Sequence, residues 1–250
     1  ICTLGFRGEA LAAISSVSHM KILTRTSDAD MGTSLVCDGG EITEYSEAGC
    51  AAGTTVIATE LFYNVPARRK FMKKDSTEAA AVSAVVEKLA LSSPDVSFKF
   101  ISDGEVKFVT PGNGSLFGAA YVIYGRECAE RLVEVSRCED GISVTGYTSE
   151  PDLVRSNRNM EYFFINGRYI RSRTISAAVE QAYASRIPKE RFPIAVLNIE
   201  ITPGLVDVNV HPSKLEVKFT NERLIFEAVY YAVLGTLTKR ADMPEIKVEP

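Results

Sequence analysis

The chain has 250 residues, 46% of them apolar and 24% charged, with a formal net charge of −4 at pH 7. That length holds one large domain or two smaller ones, and the acidic total excludes a nucleic-acid grip spread over a whole face while leaving room for a local basic strip. No apolar run approaches the ~20 residues of a membrane span and no signal peptide is seen; the five scattered cysteines and two histidines form no zinc-type spacing and read as reduced thiols of a cytosolic protein without a metal site.

The chain opens on "GFRGEALAAISS" (5–16), a glycine-flanked turn running into strong helix formers. Such a turn is either a structural bend or an anion site, because the first helical N–H groups lack intrahelical partners and the helix dipole is positive there. Strands are expected at "MKILTRT" (20–26), "GTSLVCD" (32–38) and "EITEYS" (41–46), with Asp38-Gly39-Gly40 as the hairpin turn between the last two. Another is expected in "GTTVIATELF" (53–62), which is rich in β-branched residues. Asp75 with Glu78 suggests a capping box, and Val82, Val85, Val86 and Leu89 recur at helical spacing as a buried face. Two short strands flank Asp103-Gly104, and the "PGNGS" cluster (111–115) marks a boundary. The expected domains are therefore 1–112 and 113–241, with 242–250 opening a linker.

The second half reads as a separate α+β unit. Strands are expected in "LVEVSR", "ISVTGYTS" and "EYFFIN", and the almost unbroken apolar run "FPIAVLNIEIT" (192–202) predicts a central strand. Ile175, Ala178, Val179, Ala182 and Tyr183 form one helical stripe; Ile225, Phe226, Val229, Val233 and Leu237 form another. Val206, Val208 and Val210 alternate, as do Leu215, Val217 and Phe219.

Chemistry is sparse. Two basic strips stand out, Arg68-Arg69-Lys70 with Lys73-Lys74, and Arg155, Arg158, Arg168, Arg171 and Arg173; each is a solvated face or an anion contact. The loop "VHPSKL" (210–215) presents Lys214 and His211, readable as a solubilising lysine and a structural histidine. With only His19 and His211 as bases, no nucleophilic triad can be assembled, and no carboxylate pair stands out.

Four motifs in series carry a resemblance: "GFRGEAL" (5–11), "GTTV…LFYNVPARRKF" (53–71), "INGRYIR" (165–171) and "DVNVHPSKLEVKF" (207–219). Over essentially the whole chain they resemble the N-terminal region of the bacterial MutL family of DNA mismatch repair ATPases. The resemblance implies the later part of a Bergerat-type (GHKL) ATPase α/β sandwich, followed by a ribosomal-protein-like α+β domain. It implies that Gly5, Phe6, Arg7, Gly8, Glu9, Ala10 and Leu11 hold the triphosphate of ATP, that Thr54 contacts nucleotide, and that Lys214 reaches the γ-phosphate. Arg173, with Arg168 and Arg171 beside it, is implied in weak binding of double- and single-stranded DNA.

The parent protein is then expected to be a slow Mg²⁺-dependent ATPase. It would act as an ATP-gated dimeric clamp, joining the mismatch sensor MutS to downstream nuclease and helicase partners in the nucleoid-associated cytoplasm, with no membrane role. The family's catalytic glutamate, Mg²⁺-binding asparagine and adenine-reading aspartate precede "GFRGEAL" and are not in this sequence, which begins at Ile1. The sequence thus reads as an internal piece of a longer protein, inactive alone as an ATPase. The alternatives are another GHKL ATPase, such as a type II topoisomerase subunit, or a non-catalytic DNA-binding module.

Overall fold

A computed structural model describes residues 9–202, 206–207 and 217–241. Contacts divide the chain into two compact units, Ile1–Glu78 and Ala79–Pro250, the division falling inside a helix, α3 (Asp75–Ser92). Residues 79–112, assigned from sequence to the first domain, therefore group with the second unit by contact.

The first unit begins with α1 (Glu9–Ser15), followed by strands β1 (His19–Arg25), β2 (Gly32–Asp38), β3 (Glu41–Ala48) and β4 (Gly53–Thr59) and the short α2 (Pro66–Lys70). The strands form one antiparallel sheet in the order β3-β2-β1-β4. Among the described residues its buried apolar side chains are few, Met20 and Cys37, whereas every residue of β4 is exposed, Val56 and Ile57 included. β4 stops before Phe62 as well as Glu60 take positive φ, so the expected run to residue 62 is shortened. The expected capping box centred on Asp75 is not the one observed: Glu78 accepts a hydrogen bond from the Lys73 N–H at 2.9 Å, two residues earlier, and Asp75 lies within the first turn of α3.

The second unit contains the later turns of α3, the hairpin β5 (Lys99–Ser102) and β6 (Glu105–Val109), α4 (Leu116–Tyr124), α5 (Arg126–Ala129), β7 (Leu132–Glu139) and β8 (Ile142–Ser149). Then come β9 (Val154–Arg155), β10 (Glu161–Ile165), β11 (Arg168–Ile170), α6 (Arg173–Tyr183), β12 (Phe192–Pro193) and β13 (Ala195–Glu200). β14 (Val206–Asp207), β15 (Lys218–Phe219) and α7 (Glu222–Ala241) complete the described residues. Five strands make a mixed sheet, β11-β10-β13-β8-β7, in which only β10 and β13 run parallel. The expected strand over 192–202 is central as β13, but Phe192–Pro193 leave it to pair with β9.

Both faces of the sheet are covered, which explains why β10 is buried at all five residues. Side chains alternate across a strand: Phe163, Ile165, Leu197 and Ile199 pack with Ile175 and Val179 of α6 and Val229 and Val233 of α7. Tyr162, Phe164 and Val196 face the other way, onto Leu91 of α3 and Ala119 and Ala120 of α4. The α6 stripe is buried at every position named from sequence, and each such Ile or Val contributes about 1.5–3 kcal/mol. The α3 stripe is different. Val82, Val85 and Leu89 are 52%, 55% and 41% exposed, so the expected buried face is uncovered; helical spacing shows that a face is apolar, not that something lies on it.

Two glycines are required by geometry. Asn166 and Gly167 both have positive φ in the two-residue turn joining β10 to β11, the conformation an Asn-Gly pair supports. The Asn166 side chain then bonds both backbone groups of Ile201, at 3.0 Å each, tying the turn to the end of β13. Gly146 of β8 has φ +136°, and a Cβ there would lie 2.0 Å from the Val196 carbonyl oxygen.

Candidate nucleic-acid interface

The second unit holds a cleft of about 1640 Å³ between the later turns of α3, the β10–β11 hairpin and the start of α6. Among the described residues four basic side chains line it, Lys88, Arg158, Arg171 and Arg173, against four carboxylates, Glu87, Glu161, Glu180 and Glu222. The formal balance of these groups is neutral, so the partners of each decide what this part of the cleft attracts.

Arg158 is neutralised locally: its Nε and Nη2 donate to Glu180 at 2.5 and 3.1 Å, and its guanidinium lies 4.3 Å from the Phe192 ring. Lys88 sits 4.8 Å over the Tyr169 ring. Glu222 accepts from the Thr174 hydroxyl at 3.2 Å. Arg171 and Arg173 are exposed, and among the described residues neither is ion-paired. They flank Ser172, the N-cap of α6, whose Oγ accepts the Ile175 N–H at 3.2 Å. Two unpaired guanidinium groups beside the positive end of an 11-residue helix make an anion-attracting corner.

Glu161 is the anomaly. It is only 7% exposed, and among the described residues neither carboxylate oxygen has a partner in good hydrogen-bond geometry; the nearby Ser176 hydroxyl is a weak donor that favours the charged form. Burial, seconded by the Glu180 charge, pushes its pKa up to about 7, against the pull of Ser176 and Arg158. The Tyr124 hydroxyl on the same cleft is likewise buried without a partner, and burial raises its pKa well above the usual phenol value.

Among the residues expected to function, Arg171 and Arg173 meet at this cleft; Arg168, in β11, is not among the side chains lining it. Arg155, from the same basic strip, turns toward sulfur, with Nε 3.2 Å from Met160 Sδ. In the first unit Glu9, Ala10 and Leu11 begin α1 and are exposed, and the Thr54 hydroxyl is shared with Thr24 at 2.8 Å. Gly5, Phe6, Arg7, Gly8, His211 and Lys214 lie outside the described residues. Sequence reasoning missed Lys88 and Glu161. The signal for Glu161 was available: a single charged residue opens the otherwise apolar run "EYFFI". Among the described residues no group of three or more His, Cys, Asp or Glu could hold a metal, no helix is long and apolar enough to cross a membrane, and Cys37, Cys50, Cys128 and Cys138 are free thiols.

A family model described as "DNA mismatch repair protein, C-terminal domain" matches residues 120–238, the part of the chain that builds this cleft's β10–β11–α6 wall. The MutL mismatch repair protein of Thermoanaerobacter pseudethanolicus is 44% identical over 249 residues, covering 100% of this chain and 41% of that protein. The MutL of Shouchella clausii is 42% identical over 249 residues, 100% of this chain and 38% of its own length. The chain thus spans about two-fifths of these relatives.

Among solved structures, the N-terminal domain of a DNA repair protein matches with TM-score 0.80 and 25% identity, over 98% of this chain and 79% of that one. The Aquifex aeolicus MutL ATPase domain complexed with ADP matches with TM-score 0.64 and 26% identity, over 88% and 76%. The gyrase B-subunit of Myxococcus xanthus, at 13% identity and TM-score 0.52, shares the fold alone. The architecture is the later part of a GHKL-type α/β sandwich followed by a ribosomal-protein-like α+β domain. With relatives above 40% identity across its whole length, the chain belongs to the MutL family of DNA mismatch repair proteins.

Proposed function

We propose that this chain is the DNA-contacting and nucleotide-responsive part of an ATP-gated mismatch repair clamp. In this reading residues 113–241 carry the DNA limb and residues 1–112 the nucleotide limb. The single observation that supports the DNA limb is the pair Arg171 and Arg173, unpaired among the described residues and set beside the capped start of α6 in one cleft. Phosphate contacts made by a few arginines on an otherwise acidic protein give weak, salt-sensitive binding.

For the nucleotide limb, the reading takes Gly5–Leu11 and Thr54 as triphosphate contacts and Lys214 as a γ-phosphate contact, as the motif resemblance implies. The exposed hydroxyl of Thr54, paired with Thr24, can donate to a phosphate oxygen. The described residues offer no cluster for Mg²⁺; nucleotide, when bound, would supply the switch between open and closed clamp. An ammonium at ~4 Å from a phosphate charge, at an effective dielectric near 20, interacts by about 4 kcal/mol before desolvation, enough for Lys214 to sense the terminal phosphate. The whole protein would then close as a dimer on double- or single-stranded DNA and pass a signal from MutS to a helicase or nuclease, in the nucleoid.

Arg173→Glu tests the DNA limb. Retention of a duplex at low salt should fall at least several-fold in the variant; unchanged retention overturns the DNA assignment. Lys214→Ala in the complete parent protein should cut ATP turnover at least tenfold while leaving the fold intact, and an unchanged turnover removes Lys214 from the nucleotide limb.

A further inference from the structure

The cleft's neutral balance gives one proton unusual leverage. Among the described residues, with Glu161 ionised the four lining carboxylates cancel the four cations, and protonating Glu161 shifts that balance by one positive charge. Of those carboxylates, Glu180 is bonded to Arg158 and Glu222 to Thr174, while Glu161 is buried and, among the described residues, has only the weak donor Ser176 near it. Its charged form is therefore the one least compensated locally, and the most dependent on the cations around the cleft.

We propose that Glu161 is a proton-operated regulator of nucleic-acid binding at this cleft: protonated, it lets the arginines hold DNA phosphate, and ionised, it opposes them. The proposal rests on the DNA reading given above. The groups acting on Glu161 come from each element packed against it. Arg158, in the loop before β10, favours the anion; from α6, Glu180 disfavours it and Ser176 favours it. Further round the cleft stand Lys88 and Glu87 on α3, Arg171 and Arg173 around the start of α6, and Glu222 on α7.

Linkage sets the direction. A phosphate in the cleft disfavours the Glu161 anion, so DNA binding takes up a proton and affinity falls as pH rises. A midpoint near pH 7 in the free protein places the transition in an accessible window. If bound phosphate raises that midpoint by one unit, affinity falls roughly fivefold between about pH 6 and about pH 8. Glu161 does not touch the phosphate in this scheme; it acts through the field of the cleft and through Arg158.

The test is fluorescence anisotropy of a labelled duplex oligonucleotide at constant ionic strength across that pH range. It compares the unaltered protein with E161Q, Glu161→Met and R173E. The expected result is a falling affinity for the unaltered protein and a flat profile, tight at both ends, for E161Q and Glu161→Met, each checked for native circular dichroism at both pH extremes. An E161Q profile as steep as the parent's, or no slope in the parent, overturns the regulator while leaving the DNA reading intact, provided R173E is weakened. Full binding by R173E instead removes the DNA reading itself. Glu161→Met keeps the test open should Gln find an unintended hydrogen bond.

Discussion

Replacing Glu161 by Gln has a second consequence that is independent of DNA, because a carboxyl buried without hydrogen bonds must alter stability with pH. Its pKa is about 7 in the fold against an unperturbed 4.5. Between these values the unfolded chain has released the proton and the folded chain still holds it, so unfolding gains as pH rises. The stabilising difference is fully present below about pH 4.5, is lost progressively up to about pH 7, and changes little beyond. At 1.36 kcal/mol per unit, the full span is about 3 kcal/mol. Starting from pH 5, where part is already lost, about 2–3 kcal/mol remains to be lost by pH 8.5. Urea unfolding of the parent and of E161Q, followed by circular dichroism at those two pH values, isolates the contribution, since every other titrating group is common to both. E161Q should gain about 2–3 kcal/mol on the parent between the two. A difference that does not change with pH would mean that Glu161 is solvated or hydrogen-bonded, and would remove the physical basis of its assigned regulatory role.

Two further perturbations test the fold that builds the cleft. Gly146→Ala places a methyl 2.0 Å from the Val196 carbonyl at φ +136°, so it must break the β8–β13 ladder; the variant should lose at least about 3 kcal/mol, from backbone strain and lost pairing together, and near-parental urea stability would contradict the geometry. Tyr183→Phe removes a buried hydroxyl that bonds Thr148 Oγ1 at 2.7 Å and donates to the Ser149 carbonyl. A loss of about 1–3 kcal/mol is expected, and a neutral effect in the same assay would show that those groups find other partners.

The second unit's fold was legible in the sequence because its signals are local. Ile175, Ala178, Val179, Ala182 and Tyr183 fall on one helical face and are all buried, and the apolar run within 192–202 supplies the central strand β13. The helix α4 was not legible: "LFGAAYVIY" lacks polar positions, so it carries no period to read. On α3 the period was read correctly but its meaning was not, because exposure of Val82, Val85 and Leu89 depends on what lies opposite, which no local pattern encodes. For the site, Arg171 and Arg173 could be named only through the family resemblance of the "INGRYIR" motif, since their local sequence leaves a solvated face equally open. Lys88 could not, since it reaches the cleft from a distant part of the chain through the packing of α3 on the sheet; Glu161 is visible as the one charge in "EYFFI", but what it faces is not.

The account depends most on Arg171 and Arg173 meeting DNA phosphate in this cleft. The slope of log affinity against log salt concentration, measured for a duplex with the parent and with the Arg171→Ala/Arg173→Ala double variant, counts those contacts directly. Each phosphate contact contributes about 0.9 to the slope, so the double variant should be shallower by roughly 1.8. Equal slopes would show that these two arginines face only water.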